Sequence, residues 1–172
     1  MLKGRTALVT GSTQGIGLAI AKALAQAGAH VVVHGIETPA QGQPIAASIT
    51  AALAERGVRS AYVQANLARA DEAAGLVDAA TRALGPIDIV INNAGIQHTC
   101  AIESFPVERW DAIIAINLSS AFHTMKAVLP GMRERGWGRI VNIASVHGLV
   151  ASVNKAAYLA AKHGLVGLSK GV

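Results

Sequence analysis

Five short apolar runs alternate with stretches of helical period along this chain, and that alternation predicts its architecture. Thr6 to Thr10 (TALVT) reads as a first strand and His30 to His34 (HVVVH) as a second. Ser60 to Gln64, Ile87 to Ile91 and Arg139 to Ile143 supply the third, fourth and fifth. A helix is expected to open in the Gly11–Gly17 turn and run to Ala27, closed by Gly28. A second is expected to start at Pro44 and run to about Arg56, with Gly57 at its end. Ala70 to Leu84 reads as a third helix, ended by Gly85 and Pro86. Pro106 to about Arg135 reads as a long helical region with breaks around Asn117 and Pro130. An Ala-rich helix follows the fifth strand. Alternating βα units with such short links predict an α/β fold, a doubly wound parallel sheet of strand order 3-2-1-4-5. No repeat or interdomain linker divides residues 1–172, so one domain is expected.

Composition narrows the function classes. Hydrophobic residues make up 52% and charged ones 15%, which suits a sheet buried on both faces and excludes disorder. The formal charge is +5, but its lysines and arginines are scattered from Lys3 to Lys170. Aromatics are only 3%, too few for a base-stacking platform, so anionic small molecules are expected rather than nucleic acid. Cys100 is the single cysteine and fits a reducing compartment. Met1 to Arg5 lead straight into a strand without room for a signal peptide, and no uninterrupted apolar run is long enough for a bilayer. A cytoplasmic protein without membrane partners is the expectation.

Two motifs carry chemistry. Gly11, Gly15 and Gly17 lie between the first strand and its helix, where glycines let a backbone approach a pyrophosphate and a helix N-terminus attracts anions. The spacing is one residue looser than G-x-G-x-x-G, and a plain tight turn reads equally well from the glycines alone. Further on, Ser145 follows the fifth strand, and Tyr158 and Lys162 stand four apart on the next helix, projecting from one face. A hydroxyl, a phenol and an ammonium so placed suit proton transfer at an alcohol oxygen, although Tyr-x-x-x-Lys alone also describes an ordinary surface pair. An ammonium about 4 Å from a phenolate gains roughly 4 kcal/mol at an effective dielectric near 20. That brings a phenol from about 10 towards 7, where a general base works.

Thr10-Gly11-x-x-x-Gly15-x-Gly17, Asn92-Asn93-Ala94-Gly95, Asn117, Ser145 and Tyr158-x-x-x-Lys162, in that order, resemble the short-chain dehydrogenase/reductase family along the whole chain. The resemblance implies a Rossmann-like sheet and a nicotinamide cofactor. It implies Tyr158 as acid/base, Lys162 as the group lowering its pKa, Ser145 as a hydrogen bond to the reacting oxygen, and Asn117 as the holder of a water linking Lys162 to solvent. It assigns cofactor contacts to Thr10, Gly11, Thr13, Gly15, Ile16, Gly17, Asn66, Leu67, Asn93, Ala94 and Gly95, and again to Tyr158 and Lys162. Asn66 stands where family members often carry Asp beside the adenine. A homo-oligomer, specifically a tetramer, is also implied.

Gly95 to Thr99, Trp110 to Ile113 and Ala144 to Ser152 are similar to one group within that family, the bacterial D-3-hydroxybutyrate dehydrogenases of ketone-body metabolism. There, positions matching Gln97, His147 and Lys155 grip the substrate carboxylate, next to Ser145 and Tyr158. A cation and two polar donors beside a hydroxyl-handling trio suit a small hydroxy acid without the resemblance. Lys155 also reads as a solvated residue at a helix start, where the dipole slightly disfavours a cation, and His147 as a structural donor. His30, His34, His98, His123 and His163 are dispersed, so no metal is expected. No Lys or Arg stands at Gln14 or within His34 to Glu37, which favours NAD over NADP. Glu37, a few residues late for a ribose-binding acid, reads also as a loop carboxylate.

A six-stranded sheet of this kind has order 3-2-1-4-5-6, and five strands are readable. The chain is therefore expected to be the N-terminal two-thirds of a longer domain, inactive by itself, with its fifth strand as an apolar edge. Three readings stay open: NAD-dependent interconversion of D-3-hydroxybutyrate and acetoacetate, NADPH-dependent reduction of 3-oxoacyl thioesters, and a non-catalytic dinucleotide-binding or subunit-interaction fragment.

Overall fold

The computed structural model describes residues 1–172. Its five strands are β1 (Thr6–Val9), β2 (His30–Gly35), β3 (Ser60–Gln64), β4 (Ile89–Asn92) and β5 (Arg139–Asn142). All pair in parallel, in the expected order β3-β2-β1-β4-β5. The helices are α1 (Gly15–Gln26), α2 (Pro39–Ala52), α3 (Ala70–Leu84), α4 (Val107–Ile114), α5 (Ser120–Glu134) and α6 (Ala156–Lys170).

Side-chain alternation along the central strands builds two cores. Leu8, Val32 and Val90 point to one face and pack with Leu76, Val77 and Ala80 of α3 and Val128 and Met132 of α5. Ala7, Val9, Val31 and Val33 point to the other and meet Ala21 and Ala25 of α1 and Ala46 and Ile49 of α2. Small residues on α1 let that helix lie close to the sheet. β5 differs: it is an edge strand, Val141 is 46% exposed, and a groove of about 680 Å³ opens beside it between Met132, Trp137 and Ser169.

The structure corrects two local expectations. Pro44 does not start α2 but lies inside it, because Pro39 takes the first helical position. The Thr38 N–H donates to the Gln41 side chain at 3.1 Å, the reach-back arm of a capping box. Gly57 then closes a separate short turn, Ala54–Arg56, rather than α2. Of the two expected breaks, Pro130 sits within an unbroken α5. The other falls as a π turn, Ala115–Ser119, that joins α4 to α5 and carries Asn117 inward. No uninterrupted apolar run reaches bilayer length, as expected, although the helical stretch Val107–Glu134, 28 residues with a mean hydropathy of 1.4 over its most apolar window, is long and apolar enough on average to cross one. Here its buried face, including Ser120, Thr124 and Met125, packs on the sheet and on α3 and α6.

Candidate active site

The carboxyl ends of β1 and β4 are stitched together. Thr10 Oγ1 accepts from the Asn93 and Ala94 N–H groups at 2.9 and 3.0 Å. The Asn93 carboxamide returns donors to the Thr10 and Gly11 carbonyls, each at 3.0 Å. Gly17 is required by this stitch, since a Cβ there would collide with the Gly11 carbonyl and with Asn93 Nδ2. The first turn of α1 holds no acidic residue, which leaves its positive end free for an anion. A cleft of about 470 Å³ opens here, lined among others by Gly11, Thr13, Ile16, Glu37, Asn66 and Ala94.

His34, only 2% exposed, joins two walls of this cleft. Its Nδ1 accepts from the Gly11 N–H at 3.0 Å. The other ring nitrogen must then carry the proton, and Nε2 donates to the Ala65 carbonyl at 3.1 Å. Burial drives the ring down to about 4, against the opposing pull of the Ala65 bond and the Glu37 carboxylate. Glu37 itself folds back: Thr13 Oγ1 donates to its Oε1 at 2.7 Å, and its Oε2 occupies the space a Cβ on Gly35 would fill. Oε2 is buried without a hydrogen-bond partner. Tyr62 braces this loop, its hydroxyl donating to the Glu37 carbonyl at 2.6 Å, and burial followed by the Glu37 charge pushes its phenol up to about 12.

A second cavity, of about 250 Å³, shares Ile16, Asn93, Gly95 and Ile96 with the first and adds Gln97, Ile143, Tyr158 and Lys162. The two cavities therefore adjoin. Lys162 is 4% exposed, donates to the Ile143 carbonyl at 2.7 Å and sits 5.7 Å from the Tyr158 ring centroid. Burial lowers its pKa, so an anion beside it relieves a real cost. Ser145 caps the turn Val146–Gly148: its Oγ accepts from the His147 N–H at 3.2 Å and lies 3.4 Å from His147 Nδ1. The His147 ring meets Tyr158 edge to face at 6.0 Å. Ser145, His147, Tyr158 and Lys162 thus form one cluster.

Other expected site residues fall less simply. Asn117 spends its carboxamide on Ile96, accepting from its N–H at 2.8 Å and donating to its carbonyl at 2.9 Å, and so holds the Gly95–Gln97 loop. Asn66 Oδ1 accepts from the Ala68 N–H at 3.0 Å, while neighbouring Leu67 is buried at the cleft wall. Gln97 is exposed at the mouth of the second cavity. Lys155, half-buried, is the N-cap residue of α6, outside the cavity lining. Residues that sequence reasoning passed over are His34, as a link between cleft walls, and Ile36, 71% exposed on the cleft. A buried histidine at a strand end carries no distinguishing signal in sequence.

A nicotinamide dinucleotide fits this site. The glycine turn, the uncapped α1 terminus and an orphaned carboxylate oxygen are the features that a pyrophosphate and a ribose diol would satisfy. The short chain dehydrogenase family model matches residues 5–172. A D-beta-hydroxybutyrate dehydrogenase of Cupriavidus necator is 56% identical over 170 residues, covering 99% of this chain and 64% of that protein. One of Rhizobium meliloti is 49% identical over 171 residues, covering 98% and 64%. The chain therefore spans 64% of the length of both relatives. A metagenomic short-chain oxidoreductase, crystallised in complex with NADP, superposes with a TM-score of 0.90 at 33% identity, over 99% of this chain and 74% of that one.

His34 makes stability depend on pH. The unfolded ring titrates near 6.5 and the folded ring near 4, so between these values the unfolded state binds more protons. Its contribution is fully present above pH 6.5 and is lost as pH falls, by about 3 kcal/mol at pH 4. Urea unfolding of wild type and His34→Gln at pH 7 and pH 4 should show that difference in the wild type only.

Proposed function

The chain belongs to the short-chain dehydrogenase family, and from that premise we propose that it carries the cofactor cleft and catalytic residues of an NAD-dependent enzyme interconverting D-3-hydroxybutyrate and acetoacetate. The observation that carries the cofactor choice is Glu37. Its carboxylate is the only formal charge on a dinucleotide cleft that has no lysine or arginine in its lining. A ribose 2′-OH would give the unpartnered oxygen a donor, whereas a 2′-phosphate would meet a like charge.

When bound, the dinucleotide supplies the acceptor for the substrate's hydride. Tyr158 takes the hydroxyl proton, with the buried Lys162 ammonium 5.7 Å from its ring centroid. Ser145 donates to the reacting oxygen, and the Asn93–Ile96 wall confines the carbinol carbon. Asn117 holds that wall and, in the same reading, a water that relays protons from Lys162. The substrate carboxylate is taken by Lys155, with His147 and Gln97 as hydrogen-bond partners. A homo-oligomer and a cytoplasmic setting belong to this proposal as well.

Two measurements test it, in a protein extended to the length of its relatives. kcat/KM with NAD should exceed that with NADP, and Glu37→Gln should narrow the gap; equal or reversed preference in the wild type removes the cofactor assignment. Lys155→Ala removes one partner of a desolvated charge pair, a loss of about 2–5 kcal/mol, so kcat/KM for 3-hydroxybutyrate should drop roughly 30-fold or more. Turnover of the uncharged alcohol 2-butanol should hardly change. Equal losses on both substrates would make Lys155 a support for α6 and remove the carboxylate clamp.

A further inference from the structure

His34 is tied at both faces and along its backbone. Its N–H donates to Ser12 Oγ at 3.0 Å and its carbonyl accepts from the Ser12 N–H at 2.8 Å, fixing β2 against the glycine turn. With the backbone held, the ring is a short strut between the Gly11 N–H and the Ala65 carbonyl. Gly11 begins the turn that faces a pyrophosphate, and Ala65 begins the loop through Asn66 and Leu67 that lines the same cleft. We propose that His34 is a positioning residue that couples these two walls, so that the pyrophosphate turn and the Asn66–Leu67 loop grip the two parts of an adenine dinucleotide as one unit. The inference rests on the dinucleotide reading.

A rigid ring suits this role. It has one acceptor and one donor on opposite sides, and its two bonds cannot be rearranged independently. Both partners are backbone groups that no other side chain serves, so severing one bond leaves a backbone polar group without its partner, buried at Ala65 and part-buried at Gly11. A strut transmits only while both ends are attached. Two separate anchors would each contribute separately, and that difference is measurable.

Asparagine places its amide near the Nδ1 position and can keep the Gly11 bond while losing the Ala65 bond. Glutamine reaches the Nε2 position and can do the reverse, and leucine loses both. Calorimetric titration of the wild type, His34→Asn, His34→Gln and His34→Leu with ADP-ribose and with adenosine, alongside thermal melts, is the test. Coupling predicts that all three substitutions weaken ADP-ribose by a similar factor, about tenfold, with adenosine affected little. Losses that multiply, so that the asparagine and glutamine factors together give the leucine factor, would overturn the coupling and leave two independent bonds. If His34→Leu does not fold, His34→Ala takes its place as the variant without either bond: a loss similar to that of His34→Asn and His34→Gln supports the strut, and a loss equal to their product refutes it. A wild type that binds no ADP-ribose would instead overturn the dinucleotide reading, and this inference with it.

Discussion

Parallel strands end in unpaired backbone groups, and between β1 and β4 the Thr10 hydroxyl and the Asn93 carboxamide close that gap with four hydrogen bonds. The rest of the site depends on this closure. It fixes the turn from which α1 departs, so an uncapped helix end faces the cleft. It fixes Ala94 and Gly95, from which the chain continues to the Ile96 backbone that Asn117 holds. Crevices form at this position in doubly wound sheets because the chain leaves β1 and β4 towards opposite faces. Here that crevice adjoins the cavity of Tyr158 and Lys162, with Ile16, Asn93, Gly95 and Ile96 in both walls.

Charge is placed sparingly along this path. Lys162 is buried against a carbonyl rather than a carboxylate, so its positive charge remains available to a neighbouring anion. At the other end, Glu37 is the lone carboxylate, held by a threonine hydroxyl with one oxygen unpartnered. His34, which lines the cleft with Glu37, stays uncharged across the ordinary pH range. In the proposed reading, the cation suits the anion formed at Tyr158 and the carboxylate suits a hydroxyl donor of the dinucleotide.

Most of this was legible in the sequence wherever a single local rule decides. Short βα links gave the parallel sheet and its order, and the four-residue spacing of Tyr158 and Lys162 gave a shared helix face. Legibility failed where two rules compete. Pro39 and Pro44 both suit a helix start, and Thr38 and Gln41 decide between them. Glu37 looked late along the chain, but the missing side chain of Gly35 lets it fold back over the strand end. Family resemblance singled out Asn117, but its engagement with the Ile96 backbone was not legible, because the π turn that aims it has no signature in composition. Apolar content likewise could not separate a long core helix from a membrane span; the buried Ser120 and Thr124 face of α5 does so only once packing is seen.

The central claim is that Tyr158 moves the proton in a site whose dinucleotide cleft is built independently of it. Tyr158→Phe keeps the ring against His147 and removes only the phenol oxygen. Steady-state turnover in the extended protein, paired with direct titration of NAD, tests the claim most directly. The account predicts turnover reduced by about 10²–10⁴-fold with NAD affinity unchanged within a few-fold. Turnover retained within a few-fold, or lost only together with NAD binding, would contradict it.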